Sequence, residues 1–150
     1  MLSGKLISLI ETHRDEIARR IVEQIRREPD TAHFRRLLDG ELRESAQNLL
    51  QNLGHWLGTG NTAELARRYE SLGQLRYEQE VPLYESIRAL CIVREKILDY
   101  VEEHIASNSS VELFAEEELD RRLGRFFDVL LVHLARGYER CLRHTLAMTA

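Results

Sequence analysis

The chain has 150 residues, enough for one domain that buries an ordinary core without metal or disulfide staples. Its 43% apolar and 31% charged residues, with only two prolines and eight glycines, exclude a disordered tail and suit a folded helical protein. The formal net charge of −4, from 25 acidic against 21 basic residues, leaves no overall basic field to draw in nucleic acid.

Residues 4–27 carry Leu6, Ile10, Ile17, Ile21 and Ile25 at spacings that trace one helical face, with Ser3 placed to cap its start. Pro29 and Asp30 end this helix, because the residue before a proline resists helical geometry, and a second helical region follows over 31–57. That region is expected to break near Gly40, between Leu37 and Leu38 on one side and Leu42, Leu49, Leu50, Leu53 and Trp56 on the other. Gly58, Gly60 and Asn61 read as a loop. A third helix is predicted over 62–79, with Leu65, Tyr69, Leu72 and Leu75 or Arg76 along one side, and Pro82 opens a fourth over 82–106. Within the fourth, Ala89, Leu90, Cys91, Ile92 and Val93 are apolar on every side, which calls for a central position.

Ser107, Asn108, Ser109 and Ser110 form a polar turn before a last helix over 111–146. Its acidic group Glu116, Glu117, Glu118 and Asp120 suits the positive end of the helix dipole and reads as structural. From Phe126 to Leu134 apolar residues again surround the axis, so this helix needs partners on two sides. One side is its own core; the other points to a second subunit, with Phe127, Leu130, Leu131, Leu134 and Tyr138 as the expected dimer interface. No stretch alternates like a strand. The expectation is one all-α domain over 1–150, with five to six helices and two long ones at the C-terminal end.

Little in the chain points to catalysis. The arginine doublets, such as Arg19 with Arg20 and Arg121 with Arg122, each have Asp or Glu nearby and read as ion-paired faces rather than a phosphate-binding stripe. No two of the six histidines lie three or four apart, so no metal pair is expected on any one helix. Cys91 and Cys141 fall roughly 21 Å apart in a straight helical hairpin, too far for a disulfide, and read as buried, reduced thiols. There is no nucleophile turn or phosphate-binding loop, and the helices are mostly too long for a helix-turn-helix DNA reader. The absence of an apolar run of about 18 residues or a signal-peptide core leads us to expect no membrane association and a cytoplasmic location.

The most distinctive stretch runs from Tyr69 to Ile97. A helix with Arg76 near its end, a short polar link, Pro82-Leu83 at the next helix start and Arg94 twelve residues after the proline form an ordered pattern. This pattern resembles the amino-terminal sensor domain of the RsbRD family, which precedes STAS, histidine-kinase or transcription-regulator modules in bacterial signalling proteins. Ile10, His13, Arg14, Ile17 and Ala18 extend the likeness to the opening helix. The resemblance implies a globin-like bundle without haem or other cofactor, a homodimer formed through the last long helices, and a signal passed to an output module or partner. Two features depart from it: Glu80 stands where family members often have glycine, and no output module lies within these 150 residues.

Among polar residues, Arg76 and Arg94 sit between apolar neighbours, where a buried guanidinium must find partners. They are expected either to fix helix packing by pairing with Glu70, Glu78 or Glu95, or to line a ligand pocket with Trp56, Tyr69 and Tyr84. The alternative to a sensor is a globin-like carrier of haem or a small molecule, for which His55 is the sole histidine near the third helix; a lone histidine beside Trp56 reads first as a packing residue.

Overall fold

The computed structural model describes residues 4–37, 39–59, 62–105 and 110–149, and among these every regular element is helical. In chain order they are α1 (Gly4–Thr12), α2 (Arg14–Arg27), a 3-10 segment (Pro29–Arg36), α3 (Asp39–Gln51), α4 (Leu53–Thr59), α5 (Thr62–Glu78), α6 (Leu83–His104) and α7 (Ser110–Thr149). The two long C-terminal helices are thus α6 and α7, of 22 and 40 residues. Ser3, Leu38, Gly60, Asn61 and residues 107–109 of the expected cap, break and turns lie outside the described residues. No described helix is long and apolar enough to cross a membrane.

Several boundaries differ from the sequence expectation, among them a division of the second region at Asn52. The opening helix is divided at His13, whose backbone (φ −105, ψ 26) is not helical. The Leu9 carbonyl accepts both the His13 N–H (3.1 Å) and a bond from its ring Nδ1 (2.9 Å), so the chain bends without losing its ladder. The region after Pro29 begins as 3-10 rather than α, with Glu28 extended before the proline as that residue requires. The break expected at Gly40 falls earlier, at Leu37, which is extended (ψ 150), and Gly40 and Gly58 lie inside α3 and α4.

The core agrees with the periodicity. Ile10, Ile17, Ile21, Leu50, Ile97 and Leu123 are all fully enclosed, and Ala89, Leu90, Ile92 and Val93 place α6 in the middle as expected. Cys91 and Cys141 are free but only half-buried.

The backbones of α5 and α7 approach one another closely. A Cβ added at Gly73 would lie 2.1 Å from the Leu134 carbonyl oxygen, and one at Gly137 would lie 2.0 Å from that of Glu70. No side chain fits at either position, so the two backbones touch where these glycines cross. α7 also packs on α6, α1 and α4, which covers most of its apolar circumference but leaves Val132 54% exposed.

The turn from α5 into α6 is a Schellman motif: the Val81 N–H bonds the Arg76 carbonyl and the Glu80 N–H bonds that of Tyr77, both at 3.0 Å. Val81 is buried, while Glu80 is exposed and left-handed with φ 59. This is the link position where the family resemblance led us to expect glycine, and glycine occupies such a backbone at no steric cost.

Substitutions at three glycine-related positions separate these roles. Gly137→Ala should lower stability by about 3 kcal/mol, as overpacking against fixed backbone does. Gly124→Ala, on the same helix with open space around it, should raise stability by about 0.5–1 kcal/mol through helix propensity. Glu80→Gly should be neutral to stabilising by about 1 kcal/mol. Urea denaturation of the three variants checks all three signs.

Candidate functional site

The bundle holds a partly open cavity of about 70 Å³ between α2, the 3-10 segment, α3, α5 and α6, bounded at one side by Leu134 of α7. Its walls are apolar, built from residues such as Ile21, Phe34, Leu42, Leu72 and Leu90. Three polar side chains interrupt them besides Ser45: Tyr69 and Arg76 from α5, and Ser86 from α6. Ser45, Leu49, Tyr69 and Leu72 also line an outer groove of about 230 Å³, whose far wall holds Trp56, Leu65 and Arg68.

Arg76 is 4% exposed. Its Nη1 donates to Gln79 Oε1 at 2.8 Å and to Glu41 Oε1 at 3.3 Å, and its guanidinium carbon lies 5.2 Å from the centre of the Phe34 ring. Burial pulls its pKa below the ordinary arginine value, partly opposed by Glu41. The partners expected from sequence were Glu70, Glu78 or Glu95. The structure supplies Glu41 from α3 instead, because Arg76 points inward across the α3–α5 seam while those three face elsewhere; Glu95 pairs with Arg88.

Of the five residues expected to share a pocket, Tyr69 and Arg76 line the cavity and Trp56 lines the groove beside it. Burial raises the Tyr69 phenol above its ordinary range. Trp56 is held by α4, whose Gly54 N–H donates to Glu11 (3.0 Å) and whose Leu57 carbonyl accepts from Arg122 (3.0 Å). Tyr84 and Arg94 do not join them. Tyr84 is 61% exposed at the start of α6, and Arg94 is exposed and reaches Asp120 of α7 at 3.7 Å. His55 is exposed, stands edge-on to Trp56 with ring centres 5.1 Å apart, and does not line the cavity.

The expected dimer residues need a similar correction. Phe127, Leu130 and Leu134 are at most 2% exposed within one protomer, so they are not available to a second subunit. Leu131 and Tyr138 remain half-exposed. Both sides of α7 at this level are met by α5 and α6 of the same chain.

Two polar arrangements were not anticipated from sequence. Glu85, fully buried in the first turn of α6, accepts the His33 backbone N–H at 2.7 Å through Oε1 and meets His33 Nδ1 through Oε2. Across the α5–α7 crossing, Glu70 bonds His133 Nδ1 and Arg140 Nη2, each at 2.8 Å. The seven-residue spacing of His133 and Arg140 puts them on one face of α7, a signal that goes unread unless the opposing helix is known. His13 and His104, from different helices, bring their rings to 6.4 Å, but among the described residues no group of three or more His, Cys, Asp or Glu is placed to hold a metal ion.

Residues 15–150 match the family described as the RsbT co-antagonist protein rsbRD N-terminal domain. The chain belongs to this family. It is a regulatory family of stress signalling. The match contains the whole Tyr69–Ile97 stretch as well as Ile17 and Ala18, and leaves out Ile10, His13 and Arg14. No curated protein and no solved structure matches the chain.

The Glu70 cluster has a defined pH behaviour. Arg140 first, and His133 second, hold the Glu70 carboxyl below its usual range. A carboxylate with a lowered folded pKa contributes fully above its unfolded value of about 4.3, and that contribution fades as pH falls toward the folded value. Glu70→Gln should therefore lower the urea midpoint at pH 7, and the midpoints of variant and parent should converge as the pH falls below about 4.3.

Proposed function

We propose that this chain is a non-catalytic sensor domain of bacterial stress signalling, which acts in the cytoplasm as a homodimer and passes its state through α7 to an output module or partner protein. The observation that carries this reading is the form of α7. At 1.5 Å per residue its 40 residues extend about 60 Å, nearly twice the length of α6. Every side chain from Leu142 to Thr149 is exposed.

Leu131, Ala135, Leu142 and Leu146 recur at spacings of four, seven and four, which keeps them on one face of α7. Leu142 and Leu146 are 40% and 59% exposed, and Val132 beside them is 54% exposed. An apolar stripe of this kind on a regulatory domain fits pairing with a second α7. The interface is accordingly assigned to this stripe, with Leu131 and Tyr138 kept from the sequence expectation. The Gly73–Gly137 crossing ties the stripe to α5, which lines the cavity from its other side, so a change in the interior has a packed route to the outer helix.

Light scattering and sedimentation on the intact chain should show a dimer at micromolar concentration. The double substitution Leu142→Glu with Leu146→Glu should give a monomer of unchanged helical circular dichroism. A monomeric parent at tens of micromolar would contradict the reading.

A further inference from the structure

We propose that the interior cavity is a binding site for a small monocarboxylate with an apolar tail, its carboxylate received by Arg76 and Ser86. This deepens the sensor reading by naming the class of ligand, though binding can be tested whether or not the chain dimerises. Two independent observations carry it. Ser86 is 2% exposed, lines the cavity and leaves its Oγ buried with no hydrogen-bond partner, an arrangement that ordinarily costs stability unless a guest completes it. Arg76 lines the same cavity, and both of its side-chain hydrogen bonds leave from Nη1. Among the described residues neither Nε nor Nη2 has a hydrogen-bond partner.

The free edge of the guanidinium, Nε with Nη2, is the planar fork that a carboxylate fits in bidentate fashion. The remaining walls fix the rest of the ligand. A phosphate or sulfate needs polar donors around most of its surface, and apolar walls such as Ile25, Leu42, Leu90 and Val93 would strip its water without replacing it. The volume of about 70 Å³ is roughly half that of a cavity known to accept benzene, so it takes a carboxyl head and one or two carbons. Ser45, Leu49, Tyr69 and Leu72 line both the cavity and the groove that holds Trp56, which is the side toward which a longer tail would extend.

Glu41 is the charged group that opposes such a guest. It meets Arg76 at 3.3 Å from a partly exposed position on α3 and also accepts from Gln79 at 3.0 Å. A bound carboxylate shares the arginine with it, so neutralising Glu41 should tighten binding. A purely structural role for Arg76 makes no such demand.

The test is calorimetric titration of the intact chain with propionate and butyrate, against n-propanol and n-butanol and against sodium chloride at matched ionic strength. The expected result is saturable binding of one acid per chain, with the alcohols at least tenfold weaker and chloride without effect. Ser86→Ala should weaken the acids about tenfold, as loss of a hydrogen bond to a charged group does. Glu41→Gln should strengthen them severalfold. Ala89→Leu, which fills the cavity, should abolish binding in a protein shown by circular dichroism to be folded. The proposal is overturned if the folded parent binds neither acid up to tens of millimolar, if the alcohols bind as well as the acids, or if Ser86→Ala and Glu41→Gln both leave the affinity unchanged. A dimer that binds no acid sinks this proposal alone, whereas a monomer that binds acid sinks the relay.

Discussion

The contact between the backbones of α5 and α7 sets the geometry of everything around it. Gly73 and Gly137 each sit where a Cβ would fall about 2 Å from a carbonyl oxygen of the other helix, so the interaxial distance there is shorter than side chains ordinarily permit. Helix propensity argues against glycine at both places, at a cost of about 1 kcal/mol each. What offsets that cost is the burial it allows: Leu130 and Leu134 reach full enclosure beside the crossing, and Tyr77 and Tyr138 meet edge to face with ring centres 5.3 Å apart. Glu70 then spans the seam to His133 and Arg140, fixing the rotation of one helix against the other.

On the other side of the cavity the 3-10 segment is held by polar groups rather than by volume. Thr31 Oγ1 donates to the Ile25 carbonyl at 2.7 Å, satisfying one of the last acceptors of α2. The Arg26 guanidinium bonds the Arg35 and Leu37 carbonyls at 2.6 and 2.5 Å and pairs with Asp39. Arg36 reaches the Glu80 carbonyl at 3.2 Å, and Glu85 takes both donors of His33. A carboxylate as enclosed as Glu85 is tolerated only because both oxygens are engaged. Phe34, which this segment carries, covers Arg76, so the wall over the buried cation is anchored at several points rather than merely packed.

Much of the architecture was legible from residue pattern. Periodicity located α5, α6 and α7, the all-round apolar run at Ala89–Val93 made α6 central, and the order of residues from Tyr69 to Ile97 carried the family. What escaped were facts that depend on the partner of each element. An apolar circumference on α7 announces that two sides are covered, but it does not say by which chain, and α5 and α6 of the same protomer cover Phe127, Leu130 and Leu134. Arg76 was read against neighbours on its own and the adjacent helix, whereas Glu41 lies 35 residues away in sequence. The two crossing glycines carry no side chain to form a pattern; their sole trace is an isolated glycine inside an otherwise good helix. Tyr84, expected in the pocket, falls on the outer face of the first turn of α6, beside the buried Glu85 and Ser86, a rotation about the axis that only the packed helix reveals.

Beyond the tight crossing α7 continues as an arm. From Gly137 to Thr149 it spans twelve residues, about 18 Å at 1.5 Å per residue, and every side chain from Leu142 onward is exposed. A tilt of about 10° about the crossing moves that tip by roughly 3 Å, the size of a single hydrogen-bond length, while atoms beside the pivot stay within van der Waals contact. The crossing has in this respect the geometry of a fulcrum: a rotation too small to disturb the close-packed interior is a larger displacement farther along a stiff rod.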